Sequence, residues 1–317
     1  MEQFPALPLA DWRPSKETVH RFAQVVGKIR LAASPRRNHW WNVPFHLTGR
    51  GITTRPMRDP ASGRMFTVDF DFIAHRLLVT TPVGDEVSFP LVGRSVADFY
   101  LTTLATLTHL GIGVHPKIPR PFDLPDGDRP FAEDTEHRAY DPDAVSTYWR
   151  VLSRVAMELE VFSADYSGKI SPVHHFWHTF DLAVTRFSDR CVGSDDSTDP
   201  VTREAYSREV ISSGFWFGDD NFPEPAFYSY TAPEPDGLAE RPLEPAAAQW
   251  AEQRGSHLAV LPYDAVRHSP TPHADIQAFY TSAYRAGADL AGWPAAWECS
   301  HGVTDPLLTP PGNDPSS

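Results

Sequence analysis

Histidines, aromatic side chains and one aspartate are concentrated at residues 171–187, in the sequence SPVHHFWHTFDLAVTRF. An imidazole titrates close to neutral pH, so a histidine held by a carboxylate can act as a general acid or base without any cofactor. We therefore predict that His174 is the acid–base residue and that Asp181 orients it. For any single histidine here, a ring that hydrogen-bonds the backbone beside an aromatic core is the simpler interpretation.

A second stretch, residues 34–51, has a related pattern and reads SPRRNHWWNVPFHLTGRG. Both stretches start with Ser-Pro, place histidine beside aromatic residues and continue with phenylalanine, a polar residue and leucine. If the two stretches are related, His39 takes the position of His174 and lies opposite it in one cleft. Further candidates are Glu209 and Tyr206 as catalytic residues, and Trp41, Trp177, Arg186, Arg50 and His46 as ligand-binding residues.

A metal site is the alternative use of these histidines. His174 and His178 are four residues apart, which places them on one face of either a helix or a strand. On a helix both imidazoles could bind one ion, whereas on a strand their Cα atoms lie roughly 13 Å apart and need help from other segments. Asp181, Glu209 or His39 would then complete a mononuclear site for a divalent metal ion.

The composition is that of a folded, acidic protein of 317 residues with a net charge of −13. That charge disfavours nucleic acid and anionic lipid as partners, and no apolar run approaches the roughly 20 residues of a membrane helix. The first residues do not resemble a signal peptide and the chain has two cysteines, so we expect a cytoplasmic protein. Nucleotide and flavin loops and the G-x-S-x-G elbow are absent, which leaves a small molecule as the expected partner and the cofactor undetermined.

Hydrophobic periodicity predicts the elements that position these residues. Residues 66–73 alternate between apolar and polar side chains, as in a strand. Asp69 and Asp71 share its polar face. A solvent-exposed sheet face is a simpler interpretation of these two residues than a functional pair of carboxylates. Helices are predicted to start at the caps Ser15, Ser95, Asp141 and Thr271. Further strands are predicted at residues 40–54, 77–81, 87–91, 209–217, 226–231 and 257–261, and a short helix at residues 245–254.

The order of the predicted elements repeats: a helix, an aromatic-histidine strand, three further strands and a helix. We therefore predict an α+β fold of two pseudo-repeated halves, each a roughly four-stranded antiparallel sheet with two helices. The predicted boundaries are an N-terminal half at residues 1–114, a Pro- and acid-rich linker at 115–140, a C-terminal half at 141–299 and a disordered tail at 300–317.

Six motifs spread over nearly the whole chain resemble a bacterial family that is catalogued only as a domain of unknown function. They are LPLADW (7–12), NHWWNVP (38–44), FDFIAHRL (70–77), RSVADFY (94–100), SPVHHFWHTFDLAVTRFS (171–188) and REAYSREVISSGFWFG (203–218). The resemblance implies no activity. Members look like H-F-F-W-G at residues 174–178, so this chain departs from them at His175 and His178, which argues against a metal pair. The better candidates are then His39, His174, Asp181 and Arg186.

The function that these residues predict is that of an intracellular small-molecule enzyme without an organic cofactor. Histidine would perform acid–base chemistry in an aromatic-lined cleft between the halves. A non-catalytic protein that binds a small ligand or acts as a scaffold is the alternative, and a mononuclear metal-dependent enzyme is the third hypothesis. Substrate, reaction class and oligomeric state stay open.

Overall fold

The protein has an α+β fold with two antiparallel sheets, as the sequence predicts. The structure is a computed structural model that describes residues 3–193, 198–220, 222–253 and 255–299. Among these residues the helices are α1 (Leu9–Ala33), α2 (Val96–His109), α3 (Pro142–Ala164), α4 (Pro200–Ala205), α5 (Tyr263–Arg267) and α6 (Pro272–Leu290). The strands of the same residues are β1 (His46–Leu47), β2 (Gly51–Thr53), β3 (Met57–Arg58), β4 (Met65–Asp71), β5 (Arg76–Thr80), β6 (Glu86–Pro90), β7 (Lys169–Ile170), β8 (His174–His175), β9 (Leu182–Cys191), β10 (Arg208–Trp216), β11 (Ala226–Ala232), β12 (Gln249–Gln253) and β13 (Ser256–Pro262). The predicted tail lies outside the described residues.

The chain forms two compact units, each built from separate stretches of sequence. The first contains the described residues of Met1–Arg154, His174–Leu182 and Trp216–Pro225. The second contains those of Val155–Val173, Ala183–Phe215 and Ala226–Ser317. The internal duplication stays a prediction.

Helix α1 begins at Leu9, so the prediction that Ser15 caps it is wrong. Leu9 and Trp12 are buried in the additional turns, and this burial of apolar surface stabilises helix where Pro14 suggests a later start. Pro14 has no backbone N–H, so it cannot donate to the carbonyl of residue 10. This missing hydrogen bond lies close to the helix start, where few bonds are lost. Ser15 instead accepts a hydrogen bond from the backbone N–H of Asp141, at 3.0 Å.

The sheet of the first unit has the order β1-β2-β4-β5-β6, with β3 paired to β4 outside this path. The strands predicted at residues 66–73, 77–81 and 87–91 are confirmed as β4, β5 and β6, and β4 pairs antiparallel with β5 and β5 with β6. Phe66, Val68 and Phe70 are buried along β4, as their alternation predicts. Asp71 is buried as well, so the expectation of an exposed carboxylate is wrong there. It accepts the backbone N–H groups two and three residues further on, at 3.0 and 2.9 Å, and thereby holds the turn into β5.

Helices α2 and α3 both start at caps that the sequence predicts. The Ser95 hydroxyl accepts a hydrogen bond from the N–H of Asp98 at 3.2 Å, and the Asp141 carboxylate accepts one from the N–H of Asp143 at 2.9 Å. Each bond satisfies an amide that has no partner within the first helical turn. Gly111, with a φ of 70°, follows the end of α2 in the left-handed region that glycine adopts at little cost.

The segment at residues 115–140 belongs to the first unit and contributes buried side chains to it. Phe131 is fully buried, and its ring lies 5.9 Å from that of Tyr100 in α2. The backbone carbonyl of Asp134 accepts a hydrogen bond from the N–H of Ala97 at 2.8 Å. These contacts fix the segment against the start of α2.

The sheet of the second unit has the order β12-β13-β11-β10-β9-β7. Strand β12 replaces the short helix predicted at residues 245–254, and that prediction is wrong. All five residues of β12 pair antiparallel with β13. Pairing with a neighbouring strand outweighs the helix preference of the alanines that precede β12, because strand formation depends on its tertiary surroundings.

Helix α6 confirms the prediction of a last helix after Thr271 and packs closely on β11. A Cβ on Gly287 would lie only 2.0 Å from Oγ1 of Thr231. Glycine therefore allows an approach of helix and strand that any larger residue would prevent. Neither α6 nor any other helix of the described residues is long and apolar enough to cross a membrane.

Candidate functional site

The two aromatic-histidine stretches meet in the first unit, where β8 bridges antiparallel to the residue before β1. The backbone N–H of Phe45 donates to the carbonyl of His175 at 2.8 Å, and the N–H of His175 donates to the carbonyl of Phe45 at 2.9 Å. Adjacent residues of a strand point to opposite faces, so His174 and His175 have different surroundings. One histidine faces an aromatic core and the other faces basic side chains.

His175 belongs to the aromatic core. Its Nε2 lies 2.7 Å from the hydroxyl of Tyr148, and its ring lies 4.9 Å from that of Phe180. Burial lowers the pKa of His175 to about 3, and burial raises the pKa of Tyr148 well above its usual value. Both groups are therefore neutral near pH 7, and we interpret His175 as a structural residue.

His174 faces the other way, towards the ring of His46 in β1. The two ring centroids are 6.2 Å apart, and the exposed fractions are 1% for His174 and 7% for His46. The buried Nδ1 of His174 has no hydrogen-bond partner in the described part of the chain. Burial, followed by the positive charges of basic neighbours, lowers the pKa of each imidazole to about 3. Both rings are consequently neutral at physiological pH.

A guanidinium that is not among the predicted site residues completes this environment. Arg30 lies in the last turn of α1, is 5% exposed, and has a buried Nε without a hydrogen-bond partner among the described residues. Burial first, then the charges of Arg55 and Arg37, lower the pKa of Arg30 to about 10, so it remains protonated near pH 7. Its spacing is the sequence feature that could have identified Arg30 as a buried residue, because Arg30 continues the buried i, i+4 row of Phe22 and Val26.

We call Arg30, His46 and His174 the basic cluster. The charges that shift the pKa values of its members come from one another and from further basic groups, foremost Arg55. Arg55 is exposed and has a φ of 59°, in the left-handed region. The cluster therefore presents one full positive charge and two neutral imidazoles in nearly dry surroundings, an arrangement that can bind an anion.

The predicted partners of His174 have other contacts. The buried ring of His39 lies 5.7 Å from that of Trp41, and the backbone of His39 has a φ of 53°. Asp181 accepts a hydrogen bond from a threonine hydroxyl two residues earlier. Burial lowers the pKa of His178 and the charge of Asp181 opposes that shift. The charge of Asp181 thus acts on His178, whereas basic groups act on His174.

Two further predicted ligand-binding residues of the first unit make structural contacts. Nε of Arg50 donates to the buried carboxylate of Asp71 at 2.9 Å, while 56% of the Arg50 side chain is exposed. Trp177 packs on Gly27 of α1, where a Cβ would lie 2.2 Å from the indole Cγ. Only glycine permits this approach, so Trp177 holds the segment after β8 against α1.

Three predicted site residues belong to the second unit. Glu209 accepts a hydrogen bond from an indole N–H at 2.9 Å and forms an ion pair with an arginine at 2.8 Å. The hydroxyl of Tyr206 lies 3.1 Å from that of another tyrosine. Arg186 is 3% exposed and donates to a backbone carbonyl at 2.5 Å.

A family model matches residues 4–299, nearly the whole chain. The chain belongs to DUF5996, described as a family of unknown function. The motif resemblance is thereby confirmed. No curated protein and no solved structure matches the chain.

A different set of metal-ligand side chains comes together in this DUF5996 chain. Within the described part of the chain, the groups that could hold a metal ion comprise Asp126, Asp134 and His137. Arg21 lies 2.5 Å from Asp126, and Arg129 lies 3.5 Å from Asp134. The two guanidinium groups neutralise the carboxylates, so we interpret this group as an ion-pair network. The two histidines of the predicted metal site are not part of it.

Proposed function

We propose that the protein binds a small anionic molecule at the basic cluster. The observation that supports this most directly is the near-complete burial of Arg30 among charges that are themselves basic. Transferring a guanidinium from water into a protein interior costs several kcal/mol, and folded proteins usually offset this cost with a paired acid. An anion from solution would take the place of that acid.

The size and charge of the cluster favour a carboxylate or phosphate group on a small molecule. Arg30, His46 and His174 are all less than a tenth exposed, which suits a compact group and not a polymer. Binding a nucleic acid backbone would require an exposed basic stripe, and the protein carries a net charge of −13. A divalent cation is disfavoured because the charge of Arg30 would repel it.

The two imidazoles couple anion binding to proton uptake. Without an anion, burial and positive neighbours keep His46 and His174 neutral. A bound negative charge beside them raises the pKa of each ring. Affinity should therefore increase as pH falls from 7 towards 5, and binding should take up protons from the buffer.

Calorimetric titration of the full chain with inorganic phosphate and with acetate tests the proposal. Arg30→Met removes the buried charge, and Arg154→Met serves as the matched control because Arg154 is exposed on α3. We expect the wild type and Arg154→Met to bind one of the two anions alike and Arg30→Met to bind it at least about tenfold more weakly, since hydrogen bonds to charged groups are worth about 1.5–3 kcal/mol. Equal binding by Arg30→Met, or no binding by the wild type, would contradict it.

The free Nδ1 of His174 favours a second candidate function, that of a small-molecule enzyme which uses this histidine as general acid or base. A neutral imidazole next to a bound anion can accept a proton from it, and such catalysis contributes about 10²–10⁴-fold to a rate. On a substrate found by screening anionic metabolites, His174→Gln should lower turnover by about 100-fold or more while binding changes less. Unchanged turnover would leave a binding protein without acid–base chemistry at His174.

We also propose that the protein works in the cytoplasm. Cys191 and Cys299 are both free thiols, and free thiols persist in a reducing compartment. Fractionation of cells that express the tagged chain tests this, and recovery from any other compartment would contradict it.

A further inference from the structure

A cavity of about 440 Å³ lies within the second unit, between the end of α3, strand β9, helix α6 and the residues just before Ser300. Its lining includes two arginines, Arg186 and Arg285, and two acids, Asp165 and Glu298. The volume is in the range of pockets for small organic molecules. None of these residues belongs to the basic cluster, so the cavity is a candidate binding site separate from that cluster.

Arg186 is the buried cation of this cavity. It is 3% exposed, and its guanidinium lies 3.8 Å from the ring centroid of Phe162 and 4.3 Å from that of Tyr284. One terminal nitrogen donates to the carbonyl of Phe162 at 2.5 Å. The buried Nε has no hydrogen-bond partner among the described residues. The rings and the carbonyl fix the orientation of the guanidinium and leave the Nε–H donor unused.

The charged groups on the cavity wall balance each other, in contrast to the basic cluster. Burial lowers the pKa of Arg186 to about 10, and the charges of Asp165 and Glu298 are among those that oppose this shift. Arg285 lies 3.5 Å from Glu298, and more than a third of each of these two side chains is exposed. The described residues of the wall thus carry two positive and two negative charges, buried on one side and accessible on the other.

We propose that this cavity binds a free α-amino acid, with its carboxylate at Arg186 and its ammonium group at Asp165 and Glu298. A guanidinium matches a carboxylate in shape and charge, and the unused Nε–H is the donor that such a pairing needs. The described residues of the wall have no net charge, which favours a zwitterion over a molecule with net charge, because each ionic group of the ligand finds an opposite charge. The aromatic rings offer apolar contact for the amino-acid side chain.

The test titrates the full chain with each of the twenty standard L-amino acids by calorimetry and by ligand-observed NMR. The strongest binder is then compared with the carboxylic acid that lacks its amino group and with the amine that lacks its carboxyl group. We expect at least one amino acid to bind with a Kd below about 1 mM, and each truncated compound to bind at least about tenfold more weakly.

Variants separate binding from folding. Glu298→Gln keeps the shape of a partly exposed side chain and should weaken amino-acid binding about tenfold, whereas Glu240→Gln, an exposed control in the same unit, should not. Arg186→Met should abolish binding, but it also removes a buried support, so Glu298→Gln decides the outcome. The proposal is overturned if no amino acid binds, if the carboxylic acid alone binds as tightly, or if Glu298→Gln binds like the wild type.

Discussion

Replacing Arg30 with methionine should stabilise the anion-free protein and at the same time weaken its response to anions. Methionine has a similar length and a similar helix preference, so α1 keeps its packing and its last turn. The substitution removes a buried positive charge that has no hydrogen bond at Nε and that lies near other basic groups. A site of this kind sacrifices stability for binding, as functional sites often do.

The pKa of Arg30 gives the size of the effect. The fall of this pKa from the usual arginine value to about 10 corresponds to about 3 kcal/mol, at about 1.4 kcal/mol for each pH unit. Because the folded pKa is depressed, the cation destabilises the folded state at every pH below about 10. Relaxation and contact with water relieve part of this cost, so we expect Arg30→Met to raise the free energy of unfolding by about 1–3 kcal/mol.

Urea denaturation at pH 7, with and without whichever of phosphate and acetate binds, measures both effects on one sample. The anion that binds, at about 100 times its wild-type Kd, should stabilise the wild type and the control Arg154→Met by about 2.7 kcal/mol, and should stabilise Arg30→Met by no more than about 1.4 kcal/mol if its affinity falls at least about tenfold. An anion-free Arg30→Met protein that is clearly less stable than the wild type would show that Arg30 serves the fold. The basic cluster would then not be a binding site.

Three further substitutions test the surroundings of the site and the second unit. The pKa of His46 falls from the usual 6.5 to about 3 on folding, so its share of stability is complete above pH 6.5 and is lost as the pH falls towards 3. Between pH 7 and pH 5, the free energy of unfolding measured in urea titrations should therefore fall by about 2 kcal/mol less in His46→Gln than in the wild type. The exposed control His115→Gln should show the same fall as the wild type. Tyr148→Phe leaves the Nε2 of His175 without its partner and should lower the free energy of unfolding by about 1–3 kcal/mol; an unchanged denaturation midpoint would refute the structural role of this hydrogen bond. Gly287→Ala places a Cβ 2.0 Å from a threonine oxygen and should cost about 1–3 kcal/mol in thermal unfolding, so an equal or higher Tm would contradict the close packing of α6.

The sequence predicted correctly those elements in which neighbouring residues determine the backbone conformation. Ser95 caps α2 through a bond to a residue three positions on, and the alternation in β4 follows from the strand period alone. Asp141 likewise starts α3. In each case the bond or the pattern lies within a few residues, so the sequence is sufficient to predict it.

Contacts between distant segments decided the features that the sequence did not predict. Leu9 and Trp12 extend α1 because other segments bury them, and β12 forms because β13 pairs with it. Arg30 stands in a helical row of core residues, where an arginine is usually read as a surface residue. The structure, and not the spacing, brings it into the environment of His46 and His174.

The bridge between Phe45 and His175 joins segments that are far apart in the chain. Arg30 and His46 leave the ribosome early, but His174 reaches them only after most of the first unit has been synthesised. A ligand that requires all three side chains can therefore bind only to chains in which the bridge between Phe45 and His175 has formed. Binding would act late in biogenesis, as a stabiliser of finished molecules and not as a nucleus for their folding.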